Sequence, residues 1–224
     1  MNPIPVYLIA APIGSYLSDM SMASLQQIQS TKVLFLESHC RFVRKLQAKG
    51  YITPKHQLIV LDEQSCAVAQ DLLQQRRSFA ILADTGNPCF VDPGYDIVGL
   101  ILDKYLDDVS LIPLGMSSAL DAALSMSGLD IQQFYFCGHY PENHLVTWPV
   151  VSRPLVFYVA GKGVGEWLRW MATAADWHSI TLYRNIRDRN GGQIFRWKKG
   201  SAVTDYPSNQ TGDNYVGIVS FGRS

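Results

Sequence analysis

The chain has 224 residues, 47% of them hydrophobic, and its 19 Lys and Arg balance 19 Asp and Glu, which is enough apolar material for one large or two small globular domains. The balance excludes attachment to a polyanion by net charge alone, so any nucleic-acid contact needs a local patch or shape. Cys40, Cys66, Cys89 and Cys137 are widely spaced without a CxxC pair, which fits reduced thiols in a cytoplasmic protein better than a disulfide framework or a zinc site.

In chain order, the N-terminal run Val6 to Ala11 is too short and lacks the basic flank for a signal peptide, and no stretch approaches the roughly 20 apolar residues of a membrane span. Val6 to Ala10 reads as a buried strand, "LSDMSMASLQQIQS" carries helical spacing, and "KVLFLES" is a second strand. A short helix "RFVRKLQAKG" closed by Gly50, a strand "HQLIVLD", a helix "SCAVAQDLLQQRR" capped by Ser65 and a strand "SFAILAD" follow. The alternation predicts a mostly parallel sheet. "YDIVGLILDKYLDD" then presents one apolar helical face, "VSLIPL" returns as a strand, and "GMSSALDAALSMSGL" is a helix starting near Ser117 or Ser118 and ended by Gly128.

Beyond it come strand-like runs, "QFYFCGHY", "PLVFYVA", "ITLYRNI", "GQIFRWKKG" and "YVGIVSFG", with one helix, "GVGEWLRWMATAA". The change of texture predicts two α/β domains, 1–112 and 113–224, the second with a mixed sheet. "TDYPSNQTGDN" reads as a surface loop, and its sequon at Asn209 has no meaning in a cytoplasmic protein.

Three loops stand at carboxyl ends of predicted strands, where open parallel sheets bind ligands: "AAPIGSYLSD", "LADTGNPCFVDPG" and "PLGMSSA". Glycine allows close backbone approach and proline fixes the shape of its neighbours, so together they form a wall of backbone groups. "VYLIAAPIGSYLSDMSMASLQQI", "AILADTGNPCFVDPGYDIV", "IPLGMSSALDAALSMSGL" and "RPLVFYV" resemble, in that order, the tetrapyrrole methylase superfamily and within it the RsmI branch. The resemblance implies a two-domain tetrapyrrole methylase-like α/β fold, a parallel-rich N-terminal sheet and a mixed C-terminal sheet with the cofactor cleft between them, and a homodimer. It further implies S-adenosylmethionine as cofactor and a cytidine 2′-hydroxyl of small-subunit ribosomal RNA as methyl acceptor. The cofactor contacts it implies fall on Ile13 and Gly14, on Asp84, Gly86, Asn87 and Pro88, on Ser118 and Ala119, and on Tyr158.

Methyl transfer is an in-line displacement that rests on orienting two reactants and needs no metal. A ribose hydroxyl needs a base, and Glu37, at the carboxyl end of the second strand, is the candidate by position. The segment after it departs from the branch: Ser38, His39 and Cys40 replace an acid and a threonine ahead of the arginine, here Arg41. His39 and Cys40, adjacent on a strand end, point apart and do not make a nucleophilic pair. "LGMSSA" and "VAGKGVGEW" also depart. A homologue that binds the cofactor without catalysis, and a small-molecule methyltransferase, therefore stand as alternatives.

Gly161 to Gly165 lacks dinucleotide-loop spacing and reads as a turn into a helix, Pro141 denies His139 and His144 a helical metal pair, and Trp167, Leu168 and Trp170 form a core or dimer face. The candidate RNA patch is "YRNIRDRNGGQIFRWKKG", where Arg184, Arg187, Arg189, Arg196, Lys198 and Lys199 fall on a predicted hairpin.

Overall fold

The computed structural model describes residues 2–14, 16–140, 153–173, 177–186, 192–203 and 213–221. Asn209, His144, Arg187 and Arg189 lie outside them. The chain divides into two compact units at Asp130/Ile131.

In the first unit, strands β1 (Ile4–Ile9), β2 (Val33–Leu36), β3 (Gln57–Val60), β4 (Phe79–Leu82) and β5 (Val109–Leu114) form one sheet in the order β3-β2-β4-β1-β5, with every pairing parallel. Every residue of β2 and β4 is buried, as a parallel strand covered on both faces demands. Helices α1 (Met22–Ser30) and α2 (Arg41–Ala48) cover one face, where Leu25, Ile28, Phe42, Val43 and Leu46 pack with Ile9, Leu34, Leu36, Ala80 and Leu82. Each crossover helix follows from apolar spacing: in α2 only Phe42, Val43 and Leu46 are buried. Helices α3 (Ser65–Gln74) and α4 (Tyr95–Lys104) pack on each other, and α5 (Ala119–Ser125) follows β5, which itself runs through position 112/113 along β1.

Ser21 caps α1, its hydroxyl accepting from Ser24 N at 3.0 Å, so the helix begins five residues later than the apolar pattern starts and Leu17–Asp19 forms a separate 3-10 turn. Ser65 is not a cap. Its hydroxyl accepts from Asp62 N at 2.9 Å and donates to Asp62 Oδ1 at 3.0 Å, closing the turn before α3, whose N-cap is Gln64.

In the second unit, β6 (Tyr135–Tyr140), β7 (Leu155–Ala160), β8 (Trp177–Arg184), β9 (Gln193–Lys198) and β10 (Asn214–Phe221) form a mixed sheet in the order β6-β7-β10-β8-β9. Only β6–β7 is parallel. Helix α6 (Val164–Ala172) lays Val164, Trp167, Leu168 and Met171 on Leu155, Phe157, Val159, Ile180, Leu182 and Tyr215. Trp167 and Leu168 are thus core residues, with Trp170 packed against them. Gly161–Gly163 is a single 3-10 turn leading straight into α6 at Val164, with no phosphate-loop geometry.

Candidate active site

The strand order sets where a site can form. After β2 the chain moves outward to β3, whereas after β4 it moves past β1 to β5, so the two neighbouring strands send their loops in opposite directions and leave a crevice at their carboxyl ends. Glu37 and Ser38 follow β2 there, and Asp84 follows β4.

These residues are hydrogen-bonded to one another across the crevice. Glu37 N donates to Leu82 O at 3.3 Å, extending the ladder by one bond, and Glu37 Oε2 accepts from Asp84 N at 2.9 Å. Asp84 answers with both oxygens: Oδ1 accepts from Ser38 N at 3.2 Å and Oδ2 accepts from the Ser38 hydroxyl. Ser38, which looked in the sequence like a departure, is the residue that fixes the Asp84 carboxylate. Asp92, from the same loop as Asp84, is half-buried and joins this group. Burial, with the Glu37 and Asp84 carboxylates facing it, pushes Asp92 up to about 6. None of the three acids forms an ion pair among the described residues.

Sequence reasoning missed Asp92 as a site residue. The signal was present, since it stands in the Asp-Pro-Gly that ends the acidic loop, but only the fold shows that this acid returns to Glu37. An acid whose proton is held more tightly in the folded state stabilises that state fully below the ordinary value of 3.8 and loses the contribution as pH rises through about 6. Asp92→Asn is therefore expected to lose less thermal stability than the parent between pH 4 and pH 7. Parallel melting profiles for the two proteins would show that Asp92 does not titrate in that window.

The other loops are joined to this one. Ala11, after β1, makes a two-way bridge with Gly86, N to O at 2.9 and 3.0 Å, so the first loop and the acidic loop form one ledge. Within it Ile13 is 86% exposed, Gly14 is exposed, Asn87 is half-buried and Pro88 is buried. The acidic loop carries Cys89 and Val91 at φ of 62° and 65°, values a β-branched residue such as Val91 adopts only under constraint. The third loop reaches the end of β1 at Gly115, where a Cβ would lie 3.4 Å from Ala10 O. Ser118 caps α5, its hydroxyl accepting from Asp121 N at 3.1 Å while its N–H donates to Asp121 Oδ2 at 3.2 Å. Its side chain is committed to the helix, and Ala119 is the first helical residue.

Tyr158 lies on β7 in the second unit. Its ring meets Phe136 and His139, each with centroids 5.1 Å apart. His39 is exposed and Cys40 half-buried, and burial, with the Asp84 carboxylate adding to it, pushes the Cys40 thiol up, away from a thiolate. None of the four cysteines is in a disulfide. Among the described residues no group of His, Cys, Asp and Glu is arranged to hold a metal, and no helix is long and apolar enough to cross a membrane.

The sequence-derived RNA patch does not survive intact. Arg184 pairs with Asp213 at 2.6 Å, with both side chains mostly buried, and also donates to Gln193 Oε1 at 3.0 Å. It braces β8 to β9 and to the start of β10. Lys198 and Lys199 are exposed.

No family model matches the chain. It is 30% identical over 179 residues to ribosomal RNA small subunit methyltransferase I of Vibrio cholerae, covering 76% of this chain and 60% of that protein. It is 30% identical over 189 residues to the protein of the same name from Xylella fastidiosa, covering 77% and 64%. Among solved structures, uroporphyrin-III-C-methyltransferase from Thermus thermophilus aligns over 97% of this chain and 94% of its own, at 17% identity and a TM-score of 0.39. The chain spans about three fifths of the length of the curated relatives it matches. With the four ordered motifs, this similarity makes the chain a relative of the ribosomal RNA small subunit methyltransferase I proteins.

Proposed function

We propose that the chain binds S-adenosylmethionine at the loops ending β1, β2 and β4 and transfers its methyl group to a cytidine 2′-hydroxyl of small-subunit ribosomal RNA, in the cytoplasm and as a homodimer. The observation that carries this reading is the similarity to relatives named ribosomal RNA small subunit methyltransferase I, which extends over about three quarters of the chain.

The residues present fit such a cofactor. Three carboxylates with no cation of their own among the described residues suit a ligand that carries a sulfonium and an ammonium group. The Ala11–Gly86 ledge offers backbone groups, with Ile13 as an exposed apolar surface beside them. Gly14, Asn87 and Pro88 continue that wall, and Ser118 and Ala119 would contribute through backbone atoms.

When bound, the cofactor supplies an electrophilic methyl group on a cationic sulfur. The protein's own work is to orient and to take a proton. Glu37 has one oxygen on Asp84 N and the other uncommitted among the described residues, so it can both hold the crevice in shape and accept a proton from a hydroxyl. Asp92, pushed up to about 6, keeps a small protonated fraction near neutral pH, and a cationic ligand would draw out the rest of its negative charge.

Calorimetry with S-adenosylmethionine and with its demethylated product, in the presence of a chelator, tests the cofactor assignment. Asp84→Asn keeps the size of the side chain but removes its charge, and is expected to weaken binding about 10- to 150-fold, the equivalent of roughly 1.5–3 kcal/mol for a bond to a charged group. No heat with either ligand in the parent protein would overturn the assignment, and unchanged affinity in a folded Asp84→Asn would confine this acid to shaping its loop. Label transfer from the methyl-labelled cofactor to purified small ribosomal subunits tests the acceptor.

A further inference from the structure

Between Glu37 and Asp62 lie 24 residues, 38–61, without a single acid, yet with Arg41, Arg44, Lys45, Lys49 and Lys55, in a chain whose charges balance overall at 19 against 19. The fold turns this run into a surface. Helix α2 buries Phe42, Val43 and Leu46 against the sheet, so Arg41, Arg44 and Lys45 fall on its opposite side, with Lys49 at its C-cap. Arg41, Arg44 and Lys49 are exposed, and none of them forms an ion pair among the described residues. Lys45 Nζ stands 5.4 Å from the ring centroid of Tyr16, itself 64% exposed, which adds an aromatic face to the row of cations. Lys55 is exposed in the turn between α2 and β3.

We infer that the exposed face of α2, Arg41, Arg44, Lys45 and Lys49 with Tyr16 beside it, is the surface that holds the RNA backbone. This rests on the methyltransferase reading above and deepens it by naming where its substrate docks. Charge complementarity commits the surface to a polyanion: phosphate contacts from Lys and Arg supply much of the affinity for nucleic acid, and an exposed tyrosine offers a base a stacking partner. Position supports the same occupant. Helix α2 starts four residues after Glu37, so a strand tracking its cations would pass the carboxyl ends of β2 and β4, where the candidate base stands. The β8–β9 hairpin is a weaker candidate, since Arg184 is consumed by Asp213.

The test is equilibrium binding of the full chain, without cofactor, to a fluorescently labelled fragment of small-subunit ribosomal RNA over a range of salt. Each phosphate contact adds about 0.7 to the slope of log affinity against log salt for a single strand and about 0.9 for a duplex. The triple variant Arg41→Gln, Arg44→Gln, Lys49→Gln is expected to keep its melting temperature, lower the slope by about 2 and weaken binding at least 10-fold at low salt. Lys198→Gln with Lys199→Gln is expected to change it little. An unchanged slope in the folded triple variant overturns the inference, as does a parent that prefers anionic phospholipid vesicles to RNA. Methyl transfer to ribosomal RNA measured in parallel separates the two failures: transfer that persists while the triple variant binds normally removes only the docking surface, whereas no binding and no transfer in the parent removes the reading with it.

Discussion

Trp167→Ala is expected to cost about 3–5 kcal/mol and to be the most damaging single truncation in the second unit. The indole is fully buried at the centre of the cluster formed by α6 and the sheet, and it meets Phe157 edge-on with centroids 5.8 Å apart. What admits so large a ring is an absence on the facing strand. A Cβ at Gly217 would lie 2.4 Å from two carbons of the Trp167 ring, nearer than any real contact, so β10 must carry glycine where the ring presses on it. The indole Nε1–H is buried and makes no hydrogen bond among the described residues, so the loss on truncation is one of packing. Trp167→Phe should accordingly cost much less than Trp167→Ala. The pairing gives a sharper test. Gly217→Ala alone should destabilise by about 1–3 kcal/mol through overpacking, whereas in the Trp167→Ala background the added methyl enters the vacated space and should be neutral or better. Denaturant midpoints of the four proteins measure this, and additive costs would mean that the two residues do not share a surface.

The strands and helices were legible for the same reason that they are stable. In the first unit the runs "KVLFLES" and "SFAILAD" are continuous apolar stretches because β2 and β4 are covered on both faces, and α2 announces itself by placing Phe42, Val43 and Leu46 on one side of a polar helix. Boundaries were less legible, because caps depend on which of several Ser and Asp residues the backbone presents. Ser65 looks like a cap in sequence, but Asp62 three residues earlier takes its hydroxyl into a turn.

The candidate site was half legible. Glycine and proline mark the ledge at Gly14, Gly86 and Pro88, and a carboxylate at a strand end drew attention to Glu37. The bonds that make these a site join residues 46 and 47 positions apart, Ser38 and Glu37 to Asp84, and follow only from β2 lying beside β4 although β3 intervenes in the chain. The role of Arg184 was hidden for a related reason. Six cations near the β8–β9 hairpin look like a patch when counted along the chain, yet Asp213 comes back from β10's edge to take Arg184, whereas Arg41 and Arg44 of α2 form no ion pair among the described residues.

Gly128→Ala is expected to destabilise the first unit by about 2–5 kcal/mol, and here two separate costs add. Gly128 sits at φ +65°, where an L side chain costs about 1–2 kcal/mol. In addition its Cβ would lie 2.6 Å from both the N and the Cα of Gly99 in the middle of α4, and backbone in a helix cannot move aside as a flexible side chain can. The reverse approach is also close, since a Cβ on Gly99 would meet Gly128 O at 3.1 Å. The two glycines thus let the chain leaving α5 lie directly on α4, and that contact anchors the far end of the short helix whose first turn carries Ser118 and Ala119. Gly50 separates the two costs. It has φ +75° with nothing within 4 Å of its Cβ position, so Gly50→Ala should incur the conformational cost alone. A Gly128→Ala protein that melts well below Gly50→Ala, and binds S-adenosylmethionine more weakly, ties the glycine contact to the third loop of the site. Equal losses in the two variants would mean that α4 yields and that only the left-handed backbone matters at Gly128.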